Sequence, residues 1–305
     1  MFPPALARRG ARLADRLAGS LGRAHRSGPD EAEVELLRKR LRRARTRVRA
    51  RDAEIARLTE ELRRRTEEIA AMRASLRDPD PEVVLPPAVV ETVDRVHREH
   101  LSYLSRDNLA MLARLVVALE RDGRPGLVVE AGTARGGSAI VMAAAKAPER
   151  PMKVYDVFGM IPAPSEKDGE DVHRRYRLIR DGGSRGVGGE LYYGYRDDLY
   201  SEVRESFARC GVEVGRHRVD LVRGLFQDTI DLAEPVALAH LDGDWYESTL
   251  TCLERLAPLL VPGGRLVLDD YDAWSGCKRA VDEYFAGRPG FRLERRAKLH
   301  AVRLP

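Results

Sequence analysis

The sequence predicts an α/β protein with a doubly wound sheet that ends in an antiparallel strand pair and is preceded by a long amino-terminal coiled-coil helix. Three observations predict it. From about residue 101 onward, short apolar runs alternate with amphipathic stretches, as strands joined by crossover helices do. Two of those runs end in paired acids. Ahead of them, residues 34–76 carry an unbroken seven-residue repeat.

Residues 1–30 read as a basic tail, with no continuous apolar core like that of a secretory signal. Residues 1–80 hold 21 Lys and Arg against 13 Asp and Glu, whereas the rest holds 32 against 35. The net charge of +5 therefore belongs to the amino-terminal segment and says little about a catalytic domain's substrate. Residues 31–78 read as the coiled coil. Val34, Leu41, Val48, Ile55, Leu62, Ile69 and Leu76 share one heptad position, and Leu37, Ala44, Arg51, Leu58, Arg65 and Met72 share the position three later. Such a stripe is buried only against a partner helix, which makes the chain an expected homo-oligomer. Interleaved glutamates and the lack of an aromatic platform argue against nucleic acid as a partner. No apolar run approaches the roughly 20 residues that a membrane span needs. Cys210, Cys252 and Cys277 lie far apart with no ligand spacing, which suits a reducing cytoplasm.

Asp78-Pro79-Asp80-Pro81 and Leu85-Pro86-Pro87 break the helix, and residues 79–100 read as a linker. Residues 101–305 then read as one domain. A helix is expected near Arg106–Asp122, a strand at Leu127–Glu130, a helix near Ser138–Ala147 and a strand at Lys153–Asp156. Further strands are expected at Arg218–Val222, Val236–Leu241 and Arg265–Leu268. Helices near Leu199–Cys210 and Thr249–Leu259 lie between them, and Phe291–Arg296 and Leu299–Leu304 form the closing pair. Residues Gly159–Tyr195 break the rhythm. Polar, Gly-rich and aromatic, they suit a lid or substrate loop, or a disordered surface loop.

In a doubly wound sheet, ligands bind at the carboxyl ends of the strands. Three motifs fall there. Glu130-Ala131-Gly132-Thr133-Ala134-Arg135-Gly136-Gly137-Ser138 is a strand end, a Gly-rich turn and a helix start, where backbone can approach a ligand closely. Its GxxxGG spacing is not the GxGxxG of dinucleotide-binding turns. Asp156, at the end of the next strand, suits a ribose diol or serves as a turn former. Two acidic clusters follow, His240-Leu241-Asp242-Gly243-Asp244 and Leu268-Asp269-Asp270. Carboxylates converging there repel one another unless protonated or neutralised by a cation, and oxygen-only ligands suit Mg²⁺.

The stretch LDGDWYESTLTCLERLAPLLVPGGRLVLDDYDAWSGCKRAVDEY resembles the second half of the macrocin O-methyltransferase family, whose members methylate sugar hydroxyls of macrolide and aminocoumarin antibiotics. LSYLSRDNLAMLARLV, EAGTARGG, DVFGMIP and GLFQDTI extend the resemblance from about Leu101 to Tyr284. It implies a Rossmann-like methyltransferase domain, S-adenosylmethionine as cofactor and a sugar or glycoside as acceptor. The family's metal ligands map to Asp242, Asp269 and Asp270. Its cofactor contacts map to Glu130, Gly132, Ser138, Asp156 and the neighbourhood of Gln227 and Asp228, with Gly136 in the same turn. The chain departs from the family at Ala134, where an aromatic residue is usual, and in residues 159–195. Catechol methyltransferases, which resemble this site, place a Lys three residues after the first metal-binding Asp; here Trp245 stands there. Asp242 is the first candidate for the base, as well as a ligand, with Asp244 and His240 behind it. Two other readings stand beside this one: another enzyme on the same sheet, such as a metal-dependent hydroxylase or nicotinamide reductase, and an assembly protein whose fold is not catalytic.

Overall fold

The computed structural model describes residues 30–75 and 83–305. The chain divides into two units near residue 71. The expected basic tail, apart from Asp30, and the Asp78–Pro81 break lie outside the described residues.

Among the described residues, the first unit holds one helix, α1 (Glu31–Ser75), which runs just past the unit's boundary. Asp30 starts it, its carboxylate accepting from the Ala32 amide at 3.3 Å. At 1.5 Å per residue α1 is about 65 Å long. Leu41, Val48, Ile55 and Leu62 are each more than half exposed along it.

The second unit opens with α2 (Pro87–Arg98), inside the span read as linker. Pro87 does not break this helix. It occupies the first turn, where its missing N–H has no partner to lose. Val89, Thr92, Val93 and Val96 are buried at helical spacing. Ser105 caps α3 (Arg106–Arg121), accepting from Asn108 N at 3.3 Å. Five strands then alternate with helices: β1 (Leu127–Ala131), α4 (Gly137–Ala145), β2 (Met152–Asp156), α5 (Glu170–Arg180), α6 (Leu199–Arg209), β3 (Val219–Arg223), α7 (Phe226–Thr229), β4 (Val236–Leu241), α8 (Tyr246–Leu256) and β5 (Leu260–Leu268). α9 (Ser275–Phe285) leads to β6 (Phe291–Arg295) and β7 (Leu299–Arg303).

The sheet order is β3-β2-β1-β4-β5-β7-β6. The first five strands are parallel, and β7 inserts antiparallel between β5 and β6. β1 and β4 are fully buried along their lengths, as strands covered on both faces must be. The strand order reverses between β1 and β4, which opens the ligand crevice of an open α/β sheet at their carboxyl ends. Residues 159–195 fold over that crevice around α5. Ile161, Val172, Ile179 and Tyr192 form an apolar cluster with Trp245. Among the described residues no helix is long and apolar enough to cross a membrane.

Candidate functional site

The crevice starts where β1 and β4 leave the sheet. Asp242 N donates to Ala131 O at 2.9 Å, which fixes the two strand ends side by side. Gly132 has φ +88, and a Cβ there would sit 1.9 Å from Asp242 O. A side chain at this position therefore cannot coexist with the acidic strand end.

Beneath the crevice lies a charged floor. His240 is fully buried, and its Nδ1 lies 2.9 Å from Glu130 Oε1. The other Glu130 oxygen accepts from Thr133 Oγ1 at 2.6 Å. Across the sheet, His240 Nε2 is 3.6 Å from Asp269 Oδ1, and Lys298 Nζ is 2.8 Å from the same oxygen. Burial depresses the His240 pKa, but the nearby Asp269 carboxylate and the bonded Glu130 outweigh it and raise the value to about 9. The same partners, His240 and Lys298, overcome burial at Asp269 and hold its carboxyl below the usual range.

Three other carboxylates converge above this floor. Asp242, Asp244 and Asp270 each offer an oxygen, all within 4.8 Å of one another. Asp244 reaches the cluster through a left-handed backbone, φ 56, and its N donates to Asp270 Oδ2 at 3.0 Å. Burial and then the Asp270 charge push Asp242 and Asp244 well above ordinary carboxylates. Burial and the Asp269 charge raise Asp270 to about 6. Each group is thus short of positive charge. Oxygens around one octahedral Mg²⁺ stand about 3.0–4.2 Å apart, so the spacing and the all-oxygen donor set fit a hard divalent cation. Asp269, expected among the ligands, lines the same chamber with its Oδ1 on Lys298, and Asp244 stands with Asp242 and Asp270 in the cluster.

Two chambers flank these acids and share a wall of Gly132, Asp156, Tyr193, Asp242, Asp244 and Trp245. The first is mainly apolar and runs over Phe226, Gln227, Gly243 and Ser248. The second holds Asp269, Asp270 and Lys298 and is faced by Tyr103, Arg175 and Trp274. Asp156 ties the Gly-rich turn to β2. Its Oδ2 accepts from Thr133 N at 2.7 Å and Ala134 N at 3.1 Å, and its Oδ1 accepts from Phe158 N at 2.6 Å. Burial raises its pKa against those three bonds.

Of the residues expected to contact a cofactor, Gly132, Asp156 and Gln227 line the chambers. Glu130 spends both oxygens beneath them. Gly136 and Ser138 shape the helix start, and Asp228 is exposed outside. Among the candidate bases, Asp242 and Asp244 face both chambers, whereas His240 lies in the floor.

The aromatic roof joins Tyr193, from the segment that suits a lid, to Tyr103, Trp245 and Trp274, which the sequence does not mark as its partners. Trp245 Nε1 donates to Pro162 O at 3.0 Å, and its ring meets Trp274 edge-on at 5.7 Å. Tyr103 meets Tyr193 edge-on at 5.9 Å. Asp168 Oδ1 accepts from Tyr246 N at 2.8 Å, and Asp168 Oδ2 accepts from Ser165 N at 2.9 Å. The only sequence signal for this roof was the aromatic content of LYYGY and DWY.

Comparison with known proteins follows the same outline. A family model described as "Macrocin-O-methyltransferase (TylF)" matches residues 92–289. The 8-demethyl-8-(2,3-dimethoxy-alpha-L-rhamnosyl)-tetracenomycin-C 4'-O-methyltransferase of Streptomyces olivaceus is 37% identical over 190 residues, covering 60% of this chain and 66% of that protein. The mycinamicin III 3''-O-methyltransferase of Micromonospora griseorubida is 31% identical over 182 residues, covering 57% and 65%. The chain thus spans slightly less than two thirds of these relatives' lengths. The solved structure of the O-methyltransferase NovP is similar at a TM-score of 0.56 and 26% identity, covering 70% of this chain and 88% of that one.

Proposed function

The chain belongs to the macrocin O-methyltransferase family, and on that premise we propose that it transfers a methyl group from S-adenosylmethionine to a hydroxyl of a sugar or glycosylated metabolite with the help of a divalent cation such as Mg²⁺. The observation that carries this reading is the pair of chambers meeting at Asp242 and Asp244. The apolar chamber suits a nucleoside. The acid-lined chamber under an aromatic roof suits a polyol, which presents hydroxyls to carboxylates and C–H faces to rings.

When bound, S-adenosylmethionine supplies the electrophilic methyl group and the cation acidifies the acceptor hydroxyl. Asp242 and Asp270 would hold the cation, with Asp269 as the third ligand that the resemblance implies. Asp244, which borders both chambers beside Asp242, would be placed to take the proton the hydroxyl loses. Gly132 and Asp156 would orient the cofactor from the turn, and Gln227 from the far side. Trp245 and Tyr193 would exclude water and fix the angle between the two substrates, which supplies much of the rate in a transfer of this kind.

The expected subcellular site is the cytoplasm, which suits three cysteines without a disulfide. The expected assembly is a homo-oligomer formed through α1, a reading supported by the exposed heptad stripe of that helix.

The test is transfer of isotope-labelled methyl from S-adenosylmethionine to a panel of glycosides and nucleotide sugars with Mg²⁺, repeated after chelation. Labelled sugar that disappears on chelation and returns with Mg²⁺ is the expected result. Undiminished transfer after chelation would remove the cation from the account.

A further inference from the structure

We propose that the exposed stripe of α1 is covered by the α1 of a second copy running antiparallel, with Leu41 of each helix packed against Leu58 of the other. This rests on the homo-oligomer reading above and adds the direction and register of the pair.

Leu37, Leu41, Val48, Ile55, Leu58 and Leu62 are each more than half exposed, at spacings of three, four and seven on one side of the helix. A stripe of this length calls for a partner. Its strict seven-residue period calls for a helix of the same period, which a second copy of the chain supplies.

Charge then selects the direction. In a parallel, in-register pair each seam residue meets its own copy. Arg51 would face Arg51 and Arg65 would face Arg65 within the seam, and Arg40 would face Arg45 on the flank. Attractions remain there too, Arg47 with Asp52 among them, but they do not relieve the seam. Running the helices antiparallel pairs the two seam positions with each other. In one register Leu62 meets Leu37, Leu58 meets Leu41 and Ile55 meets Ala44. Arg51 then meets Val48 and Arg65 meets Val34, so no two cations share a layer. On the flanks the same register sets Arg40 beside Glu61, Arg47 beside Glu54 and Arg45 beside Asp52. Two-fold symmetry doubles each attraction.

The neighbouring registers fail. A shift of one heptad one way sets Glu54 on Glu54 and Asp52 on Asp52, and a shift the other way sets Arg47 on Arg47. Within one chain, Glu61 already lies 3.3 Å from Arg65 and Glu54 lies 3.0 Å from Arg57. These exposed pairs are weak and readily shared. Glu61 is therefore placed to serve its own seam Arg65 and the second copy's Arg40 together.

The experiment uses the full chain with Leu41→Cys and Leu58→Cys as separate variants, oxidised alone and after mixing through a denaturation–refolding cycle. Wild type is the control for Cys210, Cys252 and Cys277. Covalent dimer from the mixture, with little from either variant alone, is expected. Self-crosslinking of Leu41→Cys would overturn the antiparallel assignment while leaving the oligomer standing. A monomer by light scattering in wild type would overturn the oligomer reading itself. Because cysteines in the seam weaken it, a second measurement places a nitroxide on the outer face through Lys39→Cys. The antiparallel register separates the two labels by about 30 Å along the axis, from the rise per residue. A label-to-label distance near 20 Å would contradict it.

Discussion

His240 stands in register with Glu130 across the β1–β4 ladder, and the two side chains meet at 2.9 Å in a fully buried pair under the acid cluster. Removing one partner of a buried pair strands the other without water or countercharge. Glu130→Ala is expected to cost about 3–5 kcal/mol of unfolding free energy, read from urea denaturation. A loss below about 1 kcal/mol would mean that the pair is not structural. The pH dependence has a definite sign. The folded His240 value of about 9 lies above the unfolded value of about 6.5, so its contribution is complete below pH about 6.5 and fades as pH rises to 9. Wild-type stability should fall by about 3 kcal/mol over that window, and Glu130→Ala should flatten the fall.

His300 behaves in the opposite sense. It faces Val267 on one side and Glu294 on the other, fully buried, and neither ring nitrogen has a hydrogen-bond partner among the described residues. Burial, reinforced by Arg296 and Arg265, lowers its pKa to about 3. A folded value below the unfolded one stabilises above pH about 6.5, and this contribution is lost as pH falls toward 3. At pH 5 the loss is about 2 kcal/mol, at 1.36 kcal/mol per pH unit. His300→Leu should be more acid-resistant than wild type by about that amount in paired urea titrations at pH 7 and pH 5. Equal acid sensitivity in the two proteins would refute this.

Gly132 is fixed by contact with Asp242. Gly132→Ala would place a methyl 1.9 Å from a carbonyl oxygen at φ +88, so β1 and β4 must part. The expected outcome is a loss well beyond 1 kcal/mol in thermal unfolding, together with lost S-adenosylhomocysteine binding. A variant that binds as wild type does would show that the strand ends tolerate the shift.

Asp244 and Asp269 divide the two candidate ligand sets. If Asp269 is the third ligand and Asp244 the base, Asp269→Asn should weaken Mn²⁺ binding more than tenfold by electron paramagnetic resonance. Asp244→Asn should then keep Mn²⁺ while losing transfer by at least a hundredfold, within the usual range for a proton-transfer group. The reverse pattern would assign the ion to Asp242, Asp244 and Asp270, the trio that the side chains form here.

The sheet was legible because its strands are short, apolar and end in Gly or Asp. The closing antiparallel pair was also legible, although β7 lies inside β6, an order that local pattern does not encode. α2 was not, because Pro86-Pro87 looks the same before a helix as before a linker, and only the burial of Val89, Val93 and Val96 decides. α5 buries only Val172 and Ile179, too sparse a stripe to distinguish from a loop. α9 lies outside the helices that the sequence predicts, although Cys277, Ala280, Val281 and Tyr284 carry a helical spacing. At the site, the acids were legible as strand ends, but their partners were not. Lys298 reaches Asp269 only because β7 runs beside β5, and Trp245 finds Pro162 only once residues 159–195 have folded back.

Calorimetric titration of the full chain with S-adenosylmethionine, beside a titration with NADH, tests the central claim most directly. One saturable site per chain for S-adenosylmethionine, competed by S-adenosylhomocysteine, and no heat from NADH is the predicted result. Saturable NADH binding with none for S-adenosylmethionine would contradict the account.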